Sequence, residues 1–277
     1  MNRNINELEK ISRDLRFDVI DMVYEAKDGH PGPALSIADI ITALLFSEMN
    51  VDPTNPEKPD RDRLILSKGH SCPILYAAHA RLGYYSRELL PSLRAFGSIL
   101  QGHPSISTPG IDMTTGSLGN GVAVGTGIEI ARQRSEGNWY TYVITGDGEL
   151  NEGVIWEGVL AAVQNSCENL IVFVDLNNFQ SGASTDEVSG INPIADKWRA
   201  FRWHVQEIDG HDFKQIFEAI DAAKKEKGRP SVIIAKTTKG KGVSYMENNN
   251  AWHKGVPSKE QWEIAQKELV GDNNDEI

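Results

Sequence analysis

Cysteine, long apolar runs and basic side chains are all scarce in this sequence, and each scarcity excludes a class of protein. The two cysteines, Cys72 and Cys167, lie far apart and outside any CxxC pair, which excludes a disulfide framework or a zinc cage and indicates a reducing compartment. No apolar run approaches the roughly 18 residues that cross a bilayer, and the N-terminal residues lack the apolar core of a signal peptide. We therefore expect a soluble, cytoplasmic protein without a membrane partner.

The 28 basic side chains face 39 acidic ones, which gives a formal net charge of −11 at pH 7. A field of this sign excludes nucleic acid as a partner held by net charge. A phosphate-bearing ligand can still bind where a metal ion or local donors reverse the sign. The composition of the 277 residues, 40% hydrophobic and 24% charged, is that of a folded protein. Because no linker or repeat divides the chain, we expect one domain over residues 1–277, with a frayed tail at 271–277.

Helical and strand patterns alternate along the chain, which predicts an α/β fold: a doubly wound, mostly parallel sheet with helices on both faces. Ser36, with Asp39 three residues later, predicts the start of the second helix. The Gly-, Pro-, Ser- and Thr-rich segment 101–117 is predicted to be a long loop, of the kind that often carries function. The predicted strands are 64–66, 140–145, 170–176 and 232–236, and the other predicted helices are 5–27, 73–82, 118–134, 151–165, 213–227 and 258–269.

Gly146-Asp147-Gly148 and Asn177-Asn178 each follow a predicted strand. Glycines on both sides of Asp147 let the backbone turn sharply and approach a ligand closely. In an open parallel sheet, ligands bind beyond the carboxyl ends of the strands. A carboxylate and an amide oxygen from two such ends suit Mg²⁺ or Ca²⁺, and the amides that begin the next helix favour an anion beside it. Together the motifs predict a metal and phosphate site, although either alone is more often a turn.

Four of the seven histidines stand in loops bounded by glycine or proline: His30, His70, His103 and His253. Imidazole can donate, accept and carry charge near neutral pH, so four such loops together indicate a polar site. The contexts of the other three, His79, His204 and His211, are typical of packing or of a turn, and no site role is assigned to them.

The GDG and NN motifs, with residues 149–176 between them, form the thiamine-diphosphate fingerprint. The wider sequence resembles the N-terminal, diphosphate-binding domain of transketolases. The matching segments, in family order from residue 26 to residue 255, are AKDGHPGPALSIADI, SKGHS, QGHPS, TTGSLGNGVAVGTGIEIA, TGDGELNEGVIWEG, VDLNN, IDGHD and KGKGVSYMENNNAWHKG. The resemblance implies the thiamine-diphosphate-binding fold, with thiamine diphosphate and Mg²⁺ as cofactors and Ca²⁺ or Mn²⁺ able to replace the magnesium.

The resemblance also implies a role for each matching residue. Mg²⁺ is bound by Asp147, by Asn177 and by the backbone carbonyl of Phe179, a position where the family commonly has isoleucine. The residues implied in cofactor binding are His70, Gly116, Leu118, Gly146, Gly148, Asn177 and His253. Those implied in substrate binding and proton transfer are His30, His103 and His253. Glu152 and Glu157 are implied at a subunit interface, although two acids near a helix N-terminus are also typical of an exposed face.

As the resemblance implies, the protein is a transketolase, which transfers a two-carbon ketol unit from a ketose phosphate to an aldose phosphate in carbohydrate metabolism of the pentose phosphate type. In full-length transketolases a second domain supplies the glutamate that activates the cofactor and most arginines for sugar phosphate. Nothing after residue 255 resembles that domain. We therefore expect the N-terminal subunit of a split transketolase, inactive alone and completed by a C-terminal subunit in an α2β2 heterotetramer.

Other functions fit part of the pattern. The α-subunit of a thiamine-diphosphate-dependent 2-oxo acid dehydrogenase shares GDG and NN, but the histidines of GHPG, GHPS and WHKG suit sugar hydroxyls better. A 1-deoxyxylulose-phosphate synthase fragment, a Mg²⁺-dependent phosphohydrolase using Asp147 and a non-catalytic scaffold paralogue are the remaining alternatives. Nicotinamide binding is not expected, because Gly119–Gly125 has the spacing GxGxxxG and follows no strand.

Overall fold

The computed structural model describes residues 3–271 and contains a five-stranded sheet in the order β1-β2-β3-β5-β4. Every neighbouring pair is parallel, so the carboxyl ends of all five strands lie at one edge. The strands are β1 (Arg63–Leu66), β2 (Thr141–Gly146), β3 (Leu170–Leu176), β4 (His204–Asp209) and β5 (Ser231–Lys236). The second, third and fifth of these are rich in Val and Ile, which fit a pleated surface buried on both faces.

Ten α-helices lie within the described residues. They are α1 (Ile5–Ala26), α2 (Pro31–Ser36), α3 (Ala38–Ala43), α4 (Cys72–Leu82), α5 (Asn120–Arg134), α6 (Gly153–Gln164), α7 (Thr185–Ser189), α8 (Ile194–Ala200), α9 (Phe213–Lys225) and α10 (Lys259–Val270). A π-helical turn, Leu44–Glu48, continues α3, and shorter 3₁₀ turns include Gly148–Asn151 and Asn250–His253.

Alternate strand residues face two separate cores. Tyr142 and Ile144 pack with buried residues of α1, α3, α4, α9 and α10 on one side of the sheet. Val143 and Val172 pack with buried residues of α5, α6 and α8 on the other side. The predicted sheet with helices on both faces is therefore confirmed, and its strand-end loops meet at one edge.

The structure differs from the predicted elements in several places, and two of its helices, α7 and α8, are absent from the predicted set. Ser36 does not begin a helix but is the last residue of α2, which starts at Pro31 because proline suits a first helical turn. Strand β4 is absent from the predicted set because it is an edge strand with mostly exposed or half-buried residues, so it lacks an apolar run. Residues 272–277 of the predicted tail lie outside the described residues. No helix within residues 3–271 is long and apolar enough to cross a membrane.

Candidate active site

A pocket of about 400 Å³ opens at the carboxyl edge of the sheet. Among the residues that line it are His30, His70, His103, Gly116, Leu118, Gly146, Asp147, Gly148, Glu152, Asn177, Phe179 and His253. The fold thus gathers every residue assigned to metal, cofactor or substrate from segments far apart in sequence. Glu157 does not line this pocket and lies exposed on α6.

Asp147 follows β2 directly and is only 1% exposed. Its Oδ1 accepts from the amide of Gly148 at 2.8 Å, and its Oδ2 accepts from the amide of Asn178 at 2.6 Å. Burial, and then the nearby charge of Asp175, raise the pKa of Asp147 to about 7 despite these two bonds. A bound cation stabilises the charged form of such a buried carboxylate more than that of an exposed one.

Asn177 lies at the end of β3, beside the end of β2 in the sheet. Its Nδ2 donates to Asp175 at 2.8 Å, while its Oδ1 accepts from the amide of Phe179 at 3.0 Å. These two bonds fix which way the side-chain amide points. Asn178 adopts a left-handed φ of 64°, a conformation that asparagine tolerates, and it turns the chain toward Phe179.

The donor atoms at these strand ends fit a magnesium ion. A carboxylate, an amide oxygen and a backbone carbonyl are hard ligands, and Mg²⁺ usually completes such a partial set with water and phosphate oxygens. Within residues 3–271, no group of three or more His, Cys, Asp and Glu side chains is placed to hold a metal by itself. A Cβ added to Gly146 would meet no atom closer than 3.9 Å, so the missing side chain leaves room in the pocket.

Two buried lysines in the pocket, Lys68 and Lys239, are among the residues that sequence reasoning missed. Lys68 pairs with the fully buried Asp175. Lys239 donates to Oδ1 of Asn250 at 2.7 Å and to Nδ1 of His253 at 3.0 Å. Burial, with the charge of Lys68 next, lowers the pKa of Lys239 to about 8. These two cations supply local positive charge in an acidic chain.

The predicted histidines form a compact group. The ring centroids of His30, His70 and His253 lie 5.1–5.6 Å apart. The ring of His103 packs against Gly116, where an added Cβ would lie 3.3 Å from it. All four rings fit into this space because the Gly- and Pro-rich loops that carry them bring their backbones close together.

Burial is the main influence on the charge of these rings. With Arg94 as the next cause it lowers the pKa of His30 to about 4, and with Lys239 it lowers that of His253 to about 3. Burial also lowers the pKa of His70 and of His103. Near neutral pH each ring therefore has one donor and one acceptor. Since Lys239 can only donate, Nδ1 of His253 accepts and its hydrogen lies on Nε2.

Glu149 is a second buried acid that the sequence analysis does not single out. One carboxylate oxygen accepts from the hydroxyl of Ser67 and from the amide of Gly119 at 2.7 Å, and the other accepts from the amide of Gly146 at 3.0 Å. Glu149 thereby connects the loops after β1 and β2 to the glycine loop before α5. Its position in GDGEL, next to the Asp147 motif, is the only sequence signal.

The fold and the pocket define an α/β domain that can hold a metal ion together with an anionic ligand beyond its strand ends. Over residues 8–276 the chain matches the family described as transketolase, thiamine diphosphate binding domain, and it belongs to that family. The predicted transketolase resemblance is thereby confirmed.

Three comparisons illustrate this membership. An apulose-4-phosphate transketolase subunit of Phocaeicola vulgatus is 42% identical over 96% of this chain and 94% of its own length. The 6-deoxy-6-sulfo-D-fructose transketolase subunit SqwG of a Clostridium species is 46% identical over 87% of this chain and 88% of its own. The solved transketolase of Campylobacter jejuni has a TM-score of 0.91 at 33% identity, and the match covers 99% of this chain but 44% of that one. The chain is therefore similar in extent to the named subunits.

Proposed function

We propose that this chain is the cofactor-binding, N-terminal subunit of a split transketolase that depends on thiamine diphosphate and Mg²⁺. The observation that carries the proposal is one pocket in which Asp147 and Asn177 lie at adjacent strand ends while three substrate histidines share the same space. The named subunits of matching length support the split organisation.

In this proposal the chain binds the diphosphate end of the cofactor. Asp147, Asn177 and the carbonyl of Phe179 hold Mg²⁺, and His70 contacts the diphosphate. Lys68 and Lys239 offset its negative charge, which the acidic chain as a whole would repel. When bound, thiamine diphosphate supplies the electron sink for transfer of a two-carbon unit.

The neutral histidines bind and orient the sugar. His30, His103 and His253 each present one donor and one acceptor, which suits hydroxyl and carbonyl oxygens and lets them move a proton during bond cleavage. Because Lys239 donates to Nδ1 of His253, the ring hydrogen of His253 lies on Nε2, where it can be donated to the substrate. Gly116 and Leu118 form one wall of the cofactor site, and Gly146 leaves room for close approach of the ligand. Gly148 instead admits the side chain of Gln180, which also lines the pocket.

The substrate class follows from the relatives. Their names specify apulose 4-phosphate and 6-deoxy-6-sulfo-D-fructose, both sugars with an anionic group. We infer a ketose donor with a phosphate or sulfonate group and an aldose phosphate acceptor for this chain. Most of the residues that recognise the anionic group of these sugars belong to the C-terminal subunit.

We further propose an α2β2 assembly in the cytoplasm, with residues 1–277 as one domain. Glu152 at the pocket rim and the exposed Glu157 on α6 lie at the subunit interface. The single sheet within residues 3–271 supports the one-domain organisation.

Calorimetry and a reconstitution assay test the proposal. The purified chain should bind thiamine diphosphate only with Mg²⁺, and Asp147→Ala should abolish that binding while the surface variant Asp196→Ala retains it. Ketol transfer should require addition of a C-terminal subunit. Turnover by the chain alone, or metal-independent cofactor binding, would refute the proposal.

A further inference from the structure

His211 lies in the turn after β4, outside the pocket that holds the predicted site. Its side chain is only 15% exposed, although its sequence context, DGHD, is that of a surface turn. The carboxyl end of β4 places this turn beside the loop that follows β5, because the two strands are neighbours in the sheet.

Both ring nitrogens of His211 have hydrogen-bond partners. The backbone amide of Thr238 donates to Nε2 at 2.8 Å, and Nδ1 lies 2.7 Å from Oδ2 of Asp39. Since an amide can only donate, Nε2 is the acceptor and the ring hydrogen lies on Nδ1, from which it is donated to the carboxylate. The ring therefore links a helix carboxylate to a loop amide in one defined tautomer.

Asp39 is itself held firmly in the core. Its carboxylate accepts from both terminal nitrogens of Arg16, at 2.6 and 3.1 Å, and from the hydroxyl of Ser12 at 2.6 Å. Arg16 and Ser12 lie on α1 and are buried. His211 is thus attached to a rigid group of side chains on α1 and α3, which does not depend on the ring for its own pairing.

The other end of the link is the backbone beside Lys239. Thr237 is anchored through its hydroxyl to Asp175, and the amide of Gly240 donates to the carbonyl of Gly32 at 3.1 Å. Between these two anchors the amide of Thr238 bonds to His211. The direction in which Lys239 leaves the backbone, and so the place of its ammonium in the pocket, depends on this segment.

We propose that His211 is a positioning residue that fixes the Thr238 amide and thereby holds Lys239 in the pocket for the cofactor's diphosphate. This inference rests on the proposed function for its ligand, but the bond to Thr238 can be measured without any ligand. It assigns to the DGHD turn a role in cofactor affinity although no atom of the turn lines the site.

Two isosteric substitutions separate the halves of the link. The amide nitrogen of asparagine takes the place of Nδ1, so His211→Asn keeps the donor to Asp39 and loses the acceptor for Thr238. The amide oxygen of glutamine takes the place of Nε2, so His211→Gln keeps that acceptor. We expect His211→Asn to weaken binding of thiamine diphosphate with Mg²⁺ about tenfold, with little change in kcat at saturating cofactor in the reconstituted enzyme, and His211→Gln to stay within about threefold.

Hydrogen exchange supplies the readout that needs no cofactor. The Thr238 amide should exchange faster in His211→Asn than in the native chain and in His211→Gln. The control is His204→Gln, which changes a half-buried histidine at the far end of β4 and should leave the exchange of Thr238 unchanged.

Equal protection of Thr238 in all variants, or equal affinity loss in the Asn and Gln variants, would overturn the inference. If the native chain binds no cofactor, the proposed function fails, whereas the exchange result still decides the link to Thr238. If His211→Asn does not fold, faster exchange in His211→Gln than in the native chain also overturns it.

Discussion

Lys239 is a charged side chain in a place where charge is costly. It is 1% exposed and shares the pocket with a second buried lysine, Lys68. A charge-assisted hydrogen bond to a diphosphate would offset this cost, since such bonds contribute about 1.5–3 kcal/mol. The free-energy cost of burying Lys239 in the ligand-free chain is thus offset when an anion binds.

Lys239→Met should weaken binding of thiamine diphosphate by about tenfold or more. Because the pKa of Lys239 is lowered to about 8, its ammonium is present below that pH and is lost above it. The affinity of the native chain should therefore fall as the pH rises through this value, and the affinity of the variant should not. Calorimetric titrations with Mg²⁺ across this range check both expectations. Lys241→Met, which removes the neighbouring half-exposed lysine, should behave like the native chain; an equal loss there would contradict the assignment.

We predict that the carboxyl group of Asp147 releases a proton when the metal ion binds. Its pKa of about 7 means that part of the ligand-free protein carries a protonated carboxyl near neutral pH, and a metal ligand must be deprotonated. Cofactor affinity should fall as the pH drops below this value, approaching about tenfold per unit. The number of protons released is measured by calorimetry in buffers of different ionisation enthalpy. Titrations of Mg²⁺ into thiamine diphosphate without protein correct for any proton that the cofactor itself releases. Asp147→Asn removes the titrating carboxyl, so any residual binding that it shows at raised Mg²⁺ concentration should release no proton, and proton release on that binding would contradict the prediction.

The sequence predicts some site residues and misses others for a physical reason. Asp147, Asn177 and the four loop histidines stand beside glycine, proline or a strand end, where a polar side chain has an evident structural context. Lys68 and Lys239 also stand beside glycines, Gly69 and Gly240, but a lysine in a loop is usually solvated, and only the folded chain shows that these two are buried. The turn that holds His211 is predictable, but the partners of this ring lie on α3 and on the loop after β5, which no local pattern links.

At the scale of elements, the backbone conformation of the residue that precedes a helix constrains which side chain can stand there. Gly119 precedes α5 with a left-handed φ of 87°, and an added Cβ would lie 2.7 Å from side-chain atoms of Glu152 and Val154. Gly127, within the same helix, has no atom within 4 Å of the place of a Cβ.

The positions of the strands other than β4 are predictable from the sequence to within a residue or two. Buried parallel strands are apolar runs, whereas the edge strand β4 is not.

The two glycines at the start and within α5 should respond oppositely to alanine. Gly119→Ala should lower the free energy of unfolding by about 1–2 kcal/mol or more, because a left-handed conformation and two close contacts oppose the new methyl group. Gly127→Ala should raise it by about 1 kcal/mol, because alanine favours a helix interior. Urea unfolding of the two variants measures both signs. Equal effects would show that the loop before α5 tolerates a side chain.

For the whole molecule, the question is how the chain meets its partners. Glu157 lies exposed on α6, on the side of the sheet opposite α1 and α10, and close along the helix to the exposed Leu160. Interfaces combine an apolar centre with a polar rim, and an exposed acid beside an exposed large apolar side chain fits that arrangement. Because Glu157 does not line the pocket, assembly and cofactor binding can be separated by changing this residue.

Glu157→Lys should reduce ketol transfer by about tenfold at limiting subunit concentration, because reversing a charge at an interface places like charges together or breaks a pair. Excess C-terminal subunit should restore the activity, since the pocket is unchanged, and the affinity of the isolated chain for thiamine diphosphate should stay native. Titrating the two subunits against each other, with sedimentation to follow assembly, gives both quantities. Glu263→Lys, an equally drastic change on the exposed face of α10, should leave the titration curve native. If the two variants gave the same curve, the interface would have to lie elsewhere on the chain.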